Sequence, residues 1–271
     1  MTLSEIWIYP VKSLGGIRLG EAEVKEKGLK YDRRWMVVDE AGIFLTQRLV
    51  TSMALIDVAL TPEGLLLTQR TNQESVSVPF EPVSNEEMQV KVWDDRVTAV
   101  MVSNEVDEWL SRQLERKVRL VFMPPWSERK ADPKYATDDE NVSFADGFPF
   151  LIISQGSLDL LNEKLPEPVE MKRFRPNFVV DGVAAHAEDN WKKIQIGSLS
   201  FEIVKPCARC VLTTIDPETG IKGPEPLKTL TTYRRQDRKI NFGQDVVAKS
   251  FGTVREGDPL VILTEKDKPA F

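Results

Sequence analysis

The stretch Lys205–Gly220, KPCARCVLTTIDPETG, holds both cysteines of the 271-residue chain, Cys207 and Cys210, with Arg209 between them. Upstream, apolar residues mostly alternate from Ile194 to Val204, which predicts a strand with a turn near Gly197. Downstream, Val211–Ile215 is rich in β-branched residues and reads as a second strand, closed by a turn at Asp216–Gly220. The cysteines are therefore expected in a short connection between two strands, or on the lip of the second.

Several chemistries use a C-x-x-C spacing. A structural zinc site takes four Cys and His ligands, whereas this chain has two Cys and one distant histidine, His186. A reactive dithiol wants the motif at a helix N-terminus, where the dipole lowers a thiol pKa; a strand is predicted here instead. A structural disulfide is disfavoured, because two lone cysteines in a chain of this size point to a reducing compartment. What remains is either a pair of small buried hydrophobes or a functional thiolate. Flanked by Lys205 and Arg209, such a thiolate suits a soft metal that brings most of its own ligands.

Composition places the chain among ordinary globular proteins. It is 29% charged and 41% hydrophobic, with a net charge of −6, which argues against nucleic-acid or anionic-membrane partners. No signal-like segment opens it and no apolar run is long enough to span a bilayer, so the expected location is cytoplasmic. Short strands with polar turns run from the N-terminus to Met123. One helix is predicted at Asn104–Leu114, capped by Ser103 or Asn104 and carrying the apolar stripe Val106, Trp109, Leu110 and Leu114. Tyr31–Asp39 reads as a strand, so Arg33 and Arg34 would point to opposite faces and one of them must turn inward, where it needs a partner or an anion. Residues 124–142 are polar and proline-bearing, and are expected to form a long connecting loop, mobile or folded over a site. A second half, 143–271, opens with the Asp146-Gly147 turn, an apolar strand at Phe150–Ile153 and a helix capped by Ser154.

Four blocks along the chain, YPVKS at 9–13 with DRRW at 32–35, FRPN at 174–177, CARC at 207–210 and FGQ at 242–244, resemble MOSC-domain proteins, specifically the branch of the mitochondrial amidoxime-reducing component. The resemblance implies a mainly β (α+β) fold: an N-terminal strand-rich MOSC-N domain at 1–123 packed on a MOSC β-barrel at 143–271, with the cofactor between them. It implies molybdenum cofactor (molybdopterin) bound by Lys12, Ser13, Arg33, Gly147, Phe148, Arg175, Asn177, Ala208, Arg209 and Gln244. Cys210 would ligate molybdenum, Cys207 would only pack, and Asp146 would lie near the open face of the metal to bind substrate or relay protons. Asp245 stands where relatives can carry a tyrosine. The implied activity is reduction of N-hydroxylated compounds (amidoximes, hydroxylamines, N-hydroxylated bases) by oxygen transfer from N–O to the metal. Two cysteines cannot build an all-cysteine iron–sulfur cluster, so electrons are expected from a separate flavin or iron–sulfur reductase. MOSC domains also occur in cofactor sulfurases, and a sulfur carrier working through a cysteine persulfide is the rival expectation.

Overall fold

The computed structural model describes residues 1–136 and 138–267. Strands dominate, and the fold is mainly β. The largest sheet has nine strands. Its path runs Leu260–Glu265, Trp191–Ile196, Leu199–Ala208, Lys239–Ala248, Phe150–Ser154, Phe178–Asp181, Thr2–Ile8 and Ile17–Leu19, with Arg235–Gln236 pairing off the path. Every described pairing in it is antiparallel except Phe150–Ser154 with Phe178–Asp181. A parallel pair needs a crossover, and the helix Gln155–Asn162 supplies it. Ser154 caps that helix by accepting from Ser157 N–H at 3.2 Å.

Two runs of consecutive buried residues explain the layering. In Phe150–Ser154, Phe150 and Ile152 face one core while Leu151 and Ile153 face another. In Trp35–Val38, Trp35 and Val37 enter the large N-terminal core while Met36 and Val38 pack with Phe144 on the other side. Side chains alternate across a strand, so a strand covered on both faces must be apolar throughout. Trp35–Val38 belongs to a four-stranded sheet with Arg119–Phe122, Asp95–Met101 and Glu87–Val92. A three-stranded meander, Ile56–Leu60, Gly64–Gln69 and Ser75–Pro79, and the Ser103-capped helix Asn104–Gln113 complete that half.

The chain does not divide in space where it divides in sequence. Thr2–Ile8 pairs with Phe178–Asp181, and Glu21–Lys25 pairs with Gly252–Arg255. Leu3, Ile6, Ile8, Ala22, Val24 and Leu29 sit in the same core as Phe150, Phe178 and Phe201. The strands of the first thirty or so residues thus pack with the C-terminal half, while Val11 and Leu14 between them already belong to the N-terminal core.

Two local expectations need correction. Only Trp35–Val38 of the Tyr31–Asp39 segment is strand; Tyr31 and Arg33 have φ of 71° and 49°, because the chain turns to bring Asp32 and Arg33 inward. Val211–Thr214 is a single 3-10 turn, not a strand; the hydroxyls of Thr213 and Thr214 return to the carbonyls of Cys210 and Val211 and satisfy a turn instead of a ladder. The described residues of 124–142 lie folded against the body. Lys27 donates to Pro125 and Ser127 carbonyls, and Tyr135 meets Phe148 edge-on at 6.4 Å. Among the described residues no helix is long and apolar enough to cross a membrane.

Ser154→Ala is expected to cost about 1–2 kcal/mol, the usual value of a helix N-cap. Urea unfolding followed by far-UV circular dichroism reads this as a lower midpoint at unchanged slope. An unchanged midpoint would mean the crossover helix does not depend on its cap.

Candidate functional site

One cavity is walled by residues from both halves of the chain. The space between its walls, counted out into open solvent, is about 760 Å³. The Pro10 break turns the first strand out of the sheet, and Lys12 N–H is caught by the Trp35 carbonyl at 2.8 Å. Ser13 follows at φ 68°, its carbonyl held by Gln47. This turn aims the Lys12 ammonium at the Phe144 carbonyl, 2.7 Å away, and at Asp146 Oδ1, 2.6 Å away.

Arg33 is the arginine that turns inward. Its Nη1 forks onto both oxygens of Asp32 at 2.8 and 2.7 Å and also meets Asn177 Oδ1, while Nη2 donates to the Arg175 carbonyl. Asp32 is fully buried and also accepts from Tyr9 N–H. Arg34 goes the other way and caps the Met123 carbonyl. Arg175, at φ 56°, ends the turn Met171–Phe174 and reaches the Leu14 carbonyl through Nη1. Both guanidiniums lie over the Tyr9 ring, Arg33 at 4.4 Å and Arg175 at 4.1 Å. Gly16 makes room for that ring: a Cβ there would come within 2.4 Å of it. Burial, with Arg33 close by, pushes the Arg175 pKa down to about 10.

The two cysteines have separate fates. Cys207 ends the strand Leu199–Ala208, packs partly against Phe174 and Phe242, and accepts from Arg209 Nη1 at 3.1 Å. Burial pushes its thiol up to about 12, aided by Asp245 and opposed by Arg209 and Lys205. The positive flank therefore does not make Cys207 a thiolate. Lys205 is instead paired with Asp245 at 2.8 Å. Cys210 starts the 3-10 turn and is exposed at the cavity edge.

Asp146 stands at the rim. The surrounding protein alone would raise its pKa, but the Lys12 ammonium outweighs this, with help from Trp93 Nε1 at 3.1 Å and from Arg33, and holds the carboxyl well below the usual carboxylate range. Arg129, itself buried, fixes the loop beneath by donating to the carbonyls of Ser143, Ala145 and Asp146 and pairing with Asp95.

Lys12, Ser13, Arg33, Asp146, Gly147, Phe148, Arg175, Asn177, Ala208, Arg209 and Cys210 all line this cavity. Gln244 does not. Its amide is buried on Asp189 at 2.6 Å and receives Lys266, whereas its neighbour Asp245 faces the cavity. Asn177 spends its carbonyl oxygen on Arg33 and Leu151 N–H and an amide hydrogen on the Trp7 carbonyl, so it braces the site as well as lining it. His186 lies elsewhere, with its ring near Tyr233 and Phe242. Residues that sequence reasoning did not single out are Asp32, Tyr9, Trp93 and Arg129. Asp32 and Tyr9 stand inside quoted blocks, so proximity to Arg33 was a usable signal; nothing local marks Trp93 or Arg129.

The donor set suits an anionic group. Buried Arg175 Nη2 and Arg209 Nε have no protein partner, and buried donors rarely go unpaired. Among the described residues no group of three or more His, Cys, Asp or Glu is arranged around a metal ion. Cys210, exposed at the cavity edge, offers a single thiol there.

The family model described as "MOSC N-terminal beta barrel domain" matches residues 1–117, and the one described as "MOSC domain" matches residues 139–261. Mitochondrial amidoxime-reducing component 1 of Mus musculus is 34% identical, over 97% of this chain and 82% of that protein. The Xenopus laevis component 1 is also 34% identical, over 97% and 82%, and the Homo sapiens component 2 is 33% identical over 96% and 82%. With such similarity over nearly its whole length, the chain belongs to the MOSC-domain family, in the branch of the mitochondrial amidoxime-reducing components.

Proposed function

We propose that this protein is a molybdenum-cofactor-dependent reductase of N-hydroxylated compounds, such as amidoximes, hydroxylamines or N-hydroxylated bases. The observation that carries the reading is that Arg175 and Arg209, each with a buried guanidinium nitrogen that has no protein partner, line the same cavity as the exposed Cys210. The printed names of the relatives, amidoxime-reducing components, support the substrate class.

Lys12, Ser13, Arg33, Arg175, Asn177, Ala208 and Arg209 would hold the pterin and its phosphate. Arginine suits this work because its planar fork matches a phosphate and stays charged even when burial pulls its pKa down. Gly147 and Phe148 would close one wall, and Phe148, Phe174 and Leu212 bring apolar surface that limits water around the reacting atoms. Cys210 would bind molybdenum. When bound, the centre supplies the two electrons and the oxygen acceptor for N–O cleavage. Electrons come from a separate flavin or iron–sulfur protein in this reading. Two free thiols fit a reducing compartment such as the cytoplasm.

Asp146 is better suited to hold than to relay. With its pKa depressed, the carboxylate and its Lys12 pair are intact above the ordinary Asp value of about 3.9 and are lost only as pH falls through the lower folded value. It would orient a substrate N–H or O–H as an acceptor. The ratio of wild-type to Asp146→Asn rates is therefore expected to stay flat from about pH 5 to 8. A wild-type limb in that range, absent in the variant, would make Asp146 a proton relay.

Elemental analysis tests the reading most directly, on protein made in a host that synthesises the cofactor. About one molybdenum per chain is expected, lost together with turnover in Cys210→Ala and kept in Cys207→Ser. Equal loss in both variants, or a persulfide with no metal, would move the protein to the sulfur-handling class. Arg175→Met is expected to weaken cofactor retention about tenfold or more, the value of a hydrogen bond to a charged group. The pterin remaining after dialysis measures it, and retention at the wild-type level would place the anion elsewhere.

A further inference from the structure

A second concavity adjoins the first. Its empty volume is about 930 Å³. Ile43, Phe44, Leu49 and Trp93 make its apolar walls, and Arg48 and Lys91 bring positive charge. Leu49 is 76% exposed and Ile43 41% exposed, so apolar surface faces solvent here without cover from the described residues. The two cavities share a partition. Trp93, in the second, donates from Nε1 to Asp146 of the first at 3.1 Å. Phe44, in the second, lies 5.7 Å from the Lys12 ammonium of the first.

Trp93 carries an independent mark. It opens the two-residue turn between the strands Glu87–Val92 and Asp95–Met101, whose register pairs Val92 with Asp95. Its φ is 56°. Hairpin turns of this length place Gly, Asn or Asp at such a position, and a bulky residue there is strained. Nothing in the hairpin requires an indole. The tryptophan is explained by where its ring goes: against Phe44 at 5.3 Å, tilted by 56°, under the Arg48 guanidinium at 4.3 Å, with its N–H on the rim carboxylate.

We propose that this slot is the substrate subsite: it takes the flat apolar body of an N-hydroxylated substrate, while the N–OH end reaches past Trp93 toward Asp146. The proposal rests on the reductase reading above and deepens it. Two tilted aromatic rings favour a planar partner. Arg48 and Lys91, set against the single carboxylate of Asp94, disfavour a cationic body and admit a neutral or acidic one. The preferred class is thus an aromatic or similarly flat, uncharged amidoxime or N-hydroxylated base. A bare hydroxylamine reaches the rim without using the slot.

The test compares benzamidoxime with hydroxylamine on the cofactor-loaded protein. Leu49→Asp places a charge in the slot at an exposed position that folding does not depend on, and Phe44→Ala removes one ring. Each is expected to lower the benzamidoxime-to-hydroxylamine ratio of kcat/KM about tenfold, chiefly through KM for benzamidoxime. Val83→Asp, an exposed apolar position that lines neither cavity, is expected to leave the ratio unchanged. Saturation-transfer NMR of benzamidoxime without an electron donor gives binding apart from turnover, and its signal is expected to fall in Leu49→Asp. If neither compound is reduced by the wild type, yet benzamidoxime binds and Leu49→Asp abolishes it, the subsite stands and the reductase reading fails. If both compounds are reduced and neither variant changes the ratio, the reductase reading stands and the subsite is overturned. Equal loss for both compounds would make Phe44 and Leu49 merely structural and also overturn it.

Discussion

Two guanidiniums meeting over one tyrosine ring set the terms for the rest of this structure. Arg33 and Arg175 both lie within 4.5 Å of the Tyr9 ring centre, and the fully buried Asp32 answers Arg33 directly. Bringing these charges out of water is costly, and removing one member of such a pair costs about 3–5 kcal/mol because the other is stranded. The arrangement is tenable because each fixed direction is met: Arg33 by Asp32, Asn177 and a carbonyl, Arg175 by the Leu14 carbonyl. One nitrogen, Arg175 Nη2, is buried without a protein partner, in a residue that lines the cavity. Insertion of the N-terminal strand into the C-terminal sheet follows the same logic. Pairing Thr2–Ile8 with Phe178–Asp181 brings Tyr9 and Arg33 to Arg175 and Asn177.

The C-x-x-C spacing looks like a pair but does not act as one. Two residues, Arg209 and Cys210, separate the strand end at Ala208 from the 3-10 turn at Val211, and the backbone change moves one thiol toward the core and the other to the rim. Arg209 adds to the asymmetry by donating to Cys207 while its Nε stays open. Yet burial still raises the Cys207 pKa, so the nearby charges fail to activate it. A dithiol mechanism that attacks through Cys207 would need a thiolate on a sulfur whose pKa burial raises.

Much of this was legible in the chain. Alternation and β-branching marked a mainly β fold, and the Ser103 and Ser154 caps marked two helices that are present. The inward arginine at the 33–34 doublet followed from strand geometry, although the segment is a turn; the conclusion survived because one of two adjacent cations had to find partners in either case. Val211–Thr214 misled because β-branched residues also bond back to local carbonyls, and only tertiary context decides between ladder and turn. Gln244 was expected at the cofactor on resemblance, but strand alternation turns its side chain to Asp189 and gives the cavity face to Asp245. Arg129 was invisible because, besides Asp95, its partners are three backbone carbonyls, which carry no sequence signature.

Of the ten non-glycine residues with left-handed φ among the described residues, four border this site. Ser13, Arg33, Trp93 and Arg175 all have φ between 49° and 68°, and each lines or adjoins the cavity rim. Left-handed backbone costs an L-residue about 1–2 kcal/mol, and it persists where surroundings over-determine it. The surroundings here are specific: the Ser13 carbonyl is tied by Gln47, Arg33 N–H by the Tyr9 carbonyl, Arg175 N–H by the Lys172 carbonyl, and Trp93 Nε1 by Asp146. A glycine at any of these positions would relieve the strain and forfeit the side chain. The fold therefore spends conformational energy where it needs cations, a hydroxyl and an indole aimed inward from tight turns, because turns are what the two halves present to each other across the cavity.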